Sequence, residues 1–169
     1  MASSLSPFAV PALLASAPPT PAATLTAARS AEVIREAAVV TRAMTEACEH
    51  LDADAATRDF LLASETIVVG SDGEVADPGQ YRDGMRAFYR SLSRLHFNTV
   101  REEYRALAAD LVLYVWSYKV EGTSKTGAQW VVDSESASFL LRKIDGAWKF
   151  VFFQESAVPL RRLPGAHSP

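Results

Sequence analysis

The run Leu140-Leu141-Arg142-Lys143-Ile144-Asp145-Gly146-Ala147-Trp148-Lys149-Phe150-Val151 holds two apolar stretches parted by a single Asp-Gly pair. A two-residue hairpin turn needs positive φ at both central residues, and Asp and Gly accept it at low cost. The spacing predicts a strand over 130–142, a tight turn at 144–146 and a closing strand over 148–156, stopped by Pro159. Upstream, residues 111–120 (LVLYVWSYKV) are dense in aromatic and β-branched types and read as another long strand, with 100–107 as the one before it. Residues 121–127 carry Gly122 and Gly127 among polar residues and read as the connecting hairpin loop.

Before residue 97 the apolar period is helical. Ser30 is placed to cap a helix over 31–51, in which Val33, Ala37, Val40, Met44, Ala47 and Leu51 recur at spacings of three and four. The segment 52–54 breaks it. A short β-branched strand over 65–69 ends at Gly70-Ser71-Asp72-Gly73. The turn Asp77-Pro78-Gly79 opens a second helix over 80–95. Its apolar face is Tyr81, Met85, Phe88 and Leu92, and Arg82, Arg86, Arg90 and Arg94 lie on solvated faces. Helices first and strands afterwards indicate an α+β domain.

The chain has 169 residues, enough for one domain over 31–160 with tails at 1–30 and 161–169. Hydrophobic residues make up 49% and mean hydropathy is +0.02, which suits a soluble core and excludes several membrane spans. The net charge is −3 and no Lys/Arg block occurs, so no face is built to neutralise a nucleic acid. Cys48 is the single cysteine and cannot form an internal disulfide or a thiolate metal site; it reads as a small buried residue. Residues 1–30 are rich in Ala, Ser, Thr and Pro and have no acid. They fit a secretory signal, an organelle transit peptide or a disordered tail, and the compartment stays open among these. No zinc, calcium, phosphate-loop or nucleophile-elbow pattern is present, and nothing in the sequence calls for a cofactor.

The element order, the Asp145-Gly146-Ala147-Trp148-Lys149 turn and Ser156 on the closing strand resemble the nuclear transport factor 2-like superfamily, and within it the SnoaL-like branch. The resemblance covers residues 31–158. It implies a helix-backed, strongly curved antiparallel sheet forming a conical pocket, the cystatin-like roll. It also implies a homodimer through the outer sheet face. That superfamily includes isomerases, dehydratases, cyclases and non-enzymatic association domains, so fold alone does not assign an activity. Many SnoaL-like members carry histidines on the last strand between the Trp and the Ser. Here Phe152 and Gln154 stand there. Phe cannot move a proton and Gln only hydrogen-bonds. His50, His96 and His167 lie in other segments.

Strict alternation places Trp148, Phe150, Phe152, Gln154 and Ser156 on one face of the last strand. The resemblance puts that face inside, where it is either a ligand-pocket wall or ordinary core. Tyr114, Trp116 and Tyr118 share a face that suits sheet packing, a dimer contact or a substrate site. Asp133 and Glu135 adjoin Ala137, Phe139 and Leu141. A carboxyl against an apolar stripe is a candidate general base, and a carboxyl at a strand's solvated end is not. The amide-tipped aromatic wall favours a non-catalytic domain that binds a small apolar molecule. The alternatives are an isomerase, dehydratase or cyclase using Glu135 or Asp133 as base with a Tyr114 or Tyr118 phenol, and a dimerising scaffold for another protein.

Overall fold

The structure is a computed structural model that describes residues 25–61 and 66–163. The expected N-terminal tail up to residue 24, Glu65 of the expected first strand and His167 lie outside the described residues.

Helix α1 (Ala27–Glu49) starts four residues before the expected position. The Thr26 side chain accepts the Arg29 N–H and caps it, so Ser30 falls within the first turn. Val33, Ala37, Thr41 and Met44 are its buried face. It ends in a Schellman motif: Leu51 N–H donates to Cys48 O at 2.9 Å and Asp52 N–H to Ala47 O at 3.0 Å. The residue in the left-handed conformation is Leu51, with φ 59°, where glycine is usual. Asp52 then caps a second short helix, α2 (Ala53–Thr57), within the segment read as a break. Strands β1 (Ile67–Val69) and β2 (Val75–Ala76) flank the Gly70–Gly73 turn.

Helix α3 (Pro78–Ser91) opens with an Asp77–Gln80 capping box and Pro78 in its first turn. It stops four residues before the expected end. Leu92 and Leu95, 3% and 5% exposed, instead begin β3 (Leu92–Ala108), where pairing with the next strand satisfies their backbone. The inward side of α3 is therefore Tyr81, Met85 and Tyr89, and Phe88 is exposed.

Three long strands follow: β4 (Leu111–Ser124), β5 (Gln129–Ile144) and β6 (Ala147–Ala157). Asp145 and Gly146 both take positive φ at the β5–β6 turn, as the Asp-Gly signal required. Arg161–Arg162 forms a short β7 against β5, in a segment expected to be a flexible tail. The sheet order is β2-β1-β6-β5-β4-β3, curved and unclosed. It is mixed rather than wholly antiparallel, because β1 runs parallel to β6.

Helix α1 backs the inner face of the sheet. That face carries Val112, Tyr114, Trp116 and Tyr118 of β4, Ala137, Phe139 and Leu141 of β5, and Trp148, Phe150 and Phe153 of β6, all buried.

One bulge on β6 and one on β5 break the strict alternation there. Leu141 pairs with Phe150 and Leu140 with Phe152, which leaves Val151 as an extra residue on β6. Beyond it the faces exchange. Phe153 is 2% exposed on the inside, Phe152 is only half-buried and Gln154 is exposed. The expected inward placing of Phe152 and Gln154 is corrected by that single residue. On β5, Glu135 pairs with Tyr118 and Val132 with Val120, three steps against two. The extra residue takes Asp133 out of the Glu135 face and leaves it exposed.

Candidate functional site

Strand β4 delivers Tyr118 to the inner face between two aromatic neighbours. Its ring centroid is 3.9 Å from Trp116 and 5.3 Å from Phe97, the latter edge-on. The Tyr118 hydroxyl lies 2.8 Å from Glu135 Oε1 and 3.1 Å from Glu155 Oε1. Glu135 is its direct partner across β4–β5, and Glu155 sits on β6 opposite Ala137. One phenol carries one proton, so it donates to one carboxylate at a time.

The second contact is satisfied when the other carboxyl keeps its own proton. Glu155 fits that role. Burial raises its pKa well above the carboxylate range, and Glu135's hydrogen bond and charge push the same way, against a smaller lowering by Tyr118. Glu155 is thereby biased toward its protonated form beside Glu135, an asymmetry that acid–base chemistry can use.

Helix α3 supplies Tyr81, whose ring lies 5.2 Å from Phe153 and 5.7 Å from Phe60. Its phenol is pushed well up by burial and then by the Glu155 charge. Tyr89, from the same helix face, is raised by burial and by neighbouring Cys48. Burial pushes the Cys48 thiol up to about 11, so at neutral pH it is a protonated thiol and a poor nucleophile. The sheet thus brings Glu135 and Glu155 to the Tyr118 hydroxyl, and α3 sets Tyr81 against Phe60 and Phe153.

The remaining aromatic residues build the frame. Trp148 Nε1 donates to Glu36 Oε2 at 3.1 Å, and Lys143 Nζ holds the same oxygen at 2.7 Å, tying β5 and β6 to α1. Phe150 is fully buried, 4.8 Å from Phe60 and 5.3 Å from Phe139. Tyr114 donates to Glu102 at 2.7 Å and stacks on Tyr104, whose hydroxyl meets Thr41 at 2.7 Å. Trp116 Nε1 donates to Thr99 Oγ1 at 3.0 Å.

Of the expected site residues, Glu135, Tyr118 and Trp116 come together on the inner wall. Tyr114, Trp148 and Phe150 lie deeper in the frame, and Phe152 and Gln154 turn to the outer face. Asp133 is ion-paired with Arg161 at 2.9 Å on the surface. Glu155 is the residue that sequence reading missed. Alternation put it on the opposite face, and no residue near Val151 announces a bulge. The two described histidines stand apart from the wall: His96 Nδ1 contacts Glu49 at 2.7 Å and His50 Nδ1 contacts Glu46 O at 2.7 Å. Among the described residues no group of three metal-ligating side chains converges, and no helix is long and apolar enough to cross a membrane.

No protein-family model and no curated protein matches the chain. Solved structures do. A provisionally assigned scytalone dehydratase from Novosphingobium aromaticivorans superposes with a TM-score of 0.71 at 8% identity, covering 82% of this chain and 92% of that one. A nuclear transport factor 2-like superfamily protein from Salmonella enterica gives 0.67 at 12% identity, covering 76% and 93%. A hexachlorocyclohexane dehydrochlorinase gives 0.66 at 10% identity, covering 80% and 95%. The fold is the nuclear transport factor 2-like roll. Neighbours with this fold include enzymes as well as proteins of unknown function.

Proposed function

We propose that the chain is a small-molecule enzyme of the dehydratase or isomerase type, with its own side chains as acid and base. The observation that carries this is the sharing of one phenol, Tyr118, by Glu135 and Glu155 on an aromatic inner wall. Glu135 takes a proton from carbon next to a carbonyl, and the C–H electrons enter the new enolate or alkene. Glu155 gives its proton to the leaving hydroxyl, which departs as water, or to the accepting carbon in an isomerisation. Tyr118 positions both carboxyls. Phe97 and Trp116 pack on the Tyr118 ring and shield the carboxyls' shared hydroxyl from water.

The test is solvent deuterium exchange, followed by proton NMR, across a panel of β-hydroxy ketones and enolisable ketones. Wild-type protein exchanges or dehydrates at least one member, and Glu135→Gln and Glu155→Gln lose that turnover. Turnover unchanged in both variants would remove the reading.

Binding of an apolar molecule without turnover is the second reading, favoured by the continuous aromatic packing of Phe97, Trp116 and Tyr118. Native mass spectrometry separates the two, since a retained apolar adduct with no exchange activity supports the binding module.

A homodimer through the outer sheet face belongs to the same proposal. Leu113 faces Leu140, Val115 faces Ser138, and Leu140 adjoins Phe152 there. These residues are uncharged and half-exposed, a surface suited to a second sheet. A monomer at micromolar concentration would overturn it.

A further inference from the structure

Tyr89 also borders a second concavity. An open cleft of about 550 Å³ lies between the α1–α2 corner, the C-terminal half of α3 and the β4–β5 loop. Its apolar lining is Leu51 with the outer edges of the buried Leu92 and Tyr89; Asp52 and Asp54 line it too, and three cations, Arg86, Arg90 and Lys125, reach it.

The cations are not equivalent. Arg86 is held by Asp54 and, at 2.8 Å, by Asp83. Asp52 is engaged as the cap of α2. Arg90 and Lys125 make no ion pair among the described residues, and both are exposed. Arg90 also offsets the carbonyl end of α3, which accounts for one of them. Lys125 has no such role. Its backbone N–H donates to Ser91 O at 2.8 Å, which pins the loop beside the last turn of α3 and brings the two free cations to one rim.

Leu51 is the second observation. It holds a left-handed backbone that a β-carbon disfavours, and its side chain lines the cleft. Glycine would suit the turn better and would leave that wall bare.

We propose that this cleft binds a small amphipathic organic acid, its carboxylate on Arg90 and Lys125 and its apolar body on Leu51, Leu92 and Tyr89. Two cations on one rim supply charge-assisted hydrogen bonds, and the volume suits a small ligand. The site stands whether or not Glu135 and Glu155 carry out proton transfer.

The test is an NMR titration of the full chain with octanoate, acetate and inorganic phosphate, comparing wild type with the Arg90→Gln/Lys125→Gln double variant. Both positions are exposed, so the variant is expected to fold. Octanoate is expected to bind saturably, shift the Arg90 and Lys125 amides, and exceed acetate and phosphate by about tenfold or more, since each buried methylene adds to binding. The double variant loses about tenfold for octanoate. Three results would each overturn the proposal. These are octanoate binding no tighter than acetate, phosphate binding as tightly as octanoate, or a double variant that binds like wild type.

Discussion

The Tyr118 hydroxyl lies 2.8 Å from Glu135 Oε1, and the two residues are direct partners across β4 and β5. The same oxygen lies 3.1 Å from Glu155. Tyr118 lowers the proton affinity of Glu155 and Glu135 raises it. Tyr118→Phe is therefore expected to move the Glu155 titration further up, and Glu135→Gln to move it down. Carbon-13 detection of the side-chain carboxyls reads both shifts, and shifts in the opposite sense would refute the arrangement.

Glu155 links pH to stability in a fixed direction. Its folded-state pKa is raised above the ordinary 4.5. Protonation then favours the folded state below that ordinary value, and the advantage is lost as pH climbs toward the raised one. Wild type should lose stability relative to Glu155→Gln across that interval. Urea unfolding of both proteins at about pH 5 and about pH 8 measures it, and a pH-independent difference contradicts it.

The bulge at Val151 makes neighbouring phenylalanines unequal. Phe153 is 2% exposed among Phe60, Tyr81 and Phe139, and Phe152 faces outward. Phe153→Ala is expected to cost about 3–5 kcal/mol in denaturant unfolding, as for other buried aromatic truncations. Phe152→Ala is expected to cost clearly less in the monomer. A larger cost at Phe152 than at Phe153 would place the faces as strict alternation does.

Gly122 is the cross-strand partner of Trp130, and the indole occupies the space a β-carbon at Gly122 would need. Gly122→Ala must displace the ring or the strand. A loss of about 1–3 kcal/mol is expected, typical of overpacking. Trp130 fluorescence should change with it, because Phe88 lies 6.0 Å from that ring. An unchanged emission spectrum would show that the ring had not moved.

Much of the architecture was legible in residue order. Asp145-Gly146 placed the β5–β6 hairpin, because positive φ at two successive residues leaves few side chains that comply. The α1 stripe showed a helix with one buried side, and its Val33, Ala37 and Met44 are indeed core. The period of LVLYVWSYKV put Tyr114, Trp116 and Tyr118 on one face, and they are 1%, 4% and 3% exposed together. These features depend on near neighbours, whose geometry periodicity encodes.

The end of α3 and the contents of the site were not legible. Residues 92–95 continue a helical pattern in sequence, but pairing with β4 drew them into a strand. Glu155 and Asp133 exchanged their expected places because one extra residue on β6 and one on β5 reversed the side-chain phase beyond each bulge. A bulge is settled by the partner strand's register and the curvature of the whole sheet, and neither is written in a local window of residues. The sequence by itself determined the first helix, the start of α3 and the long strands of the meander, because their apolar periods are local. Only the tertiary structure decided that a second carboxyl, from β6, would meet Glu135 at the hydroxyl of Tyr118.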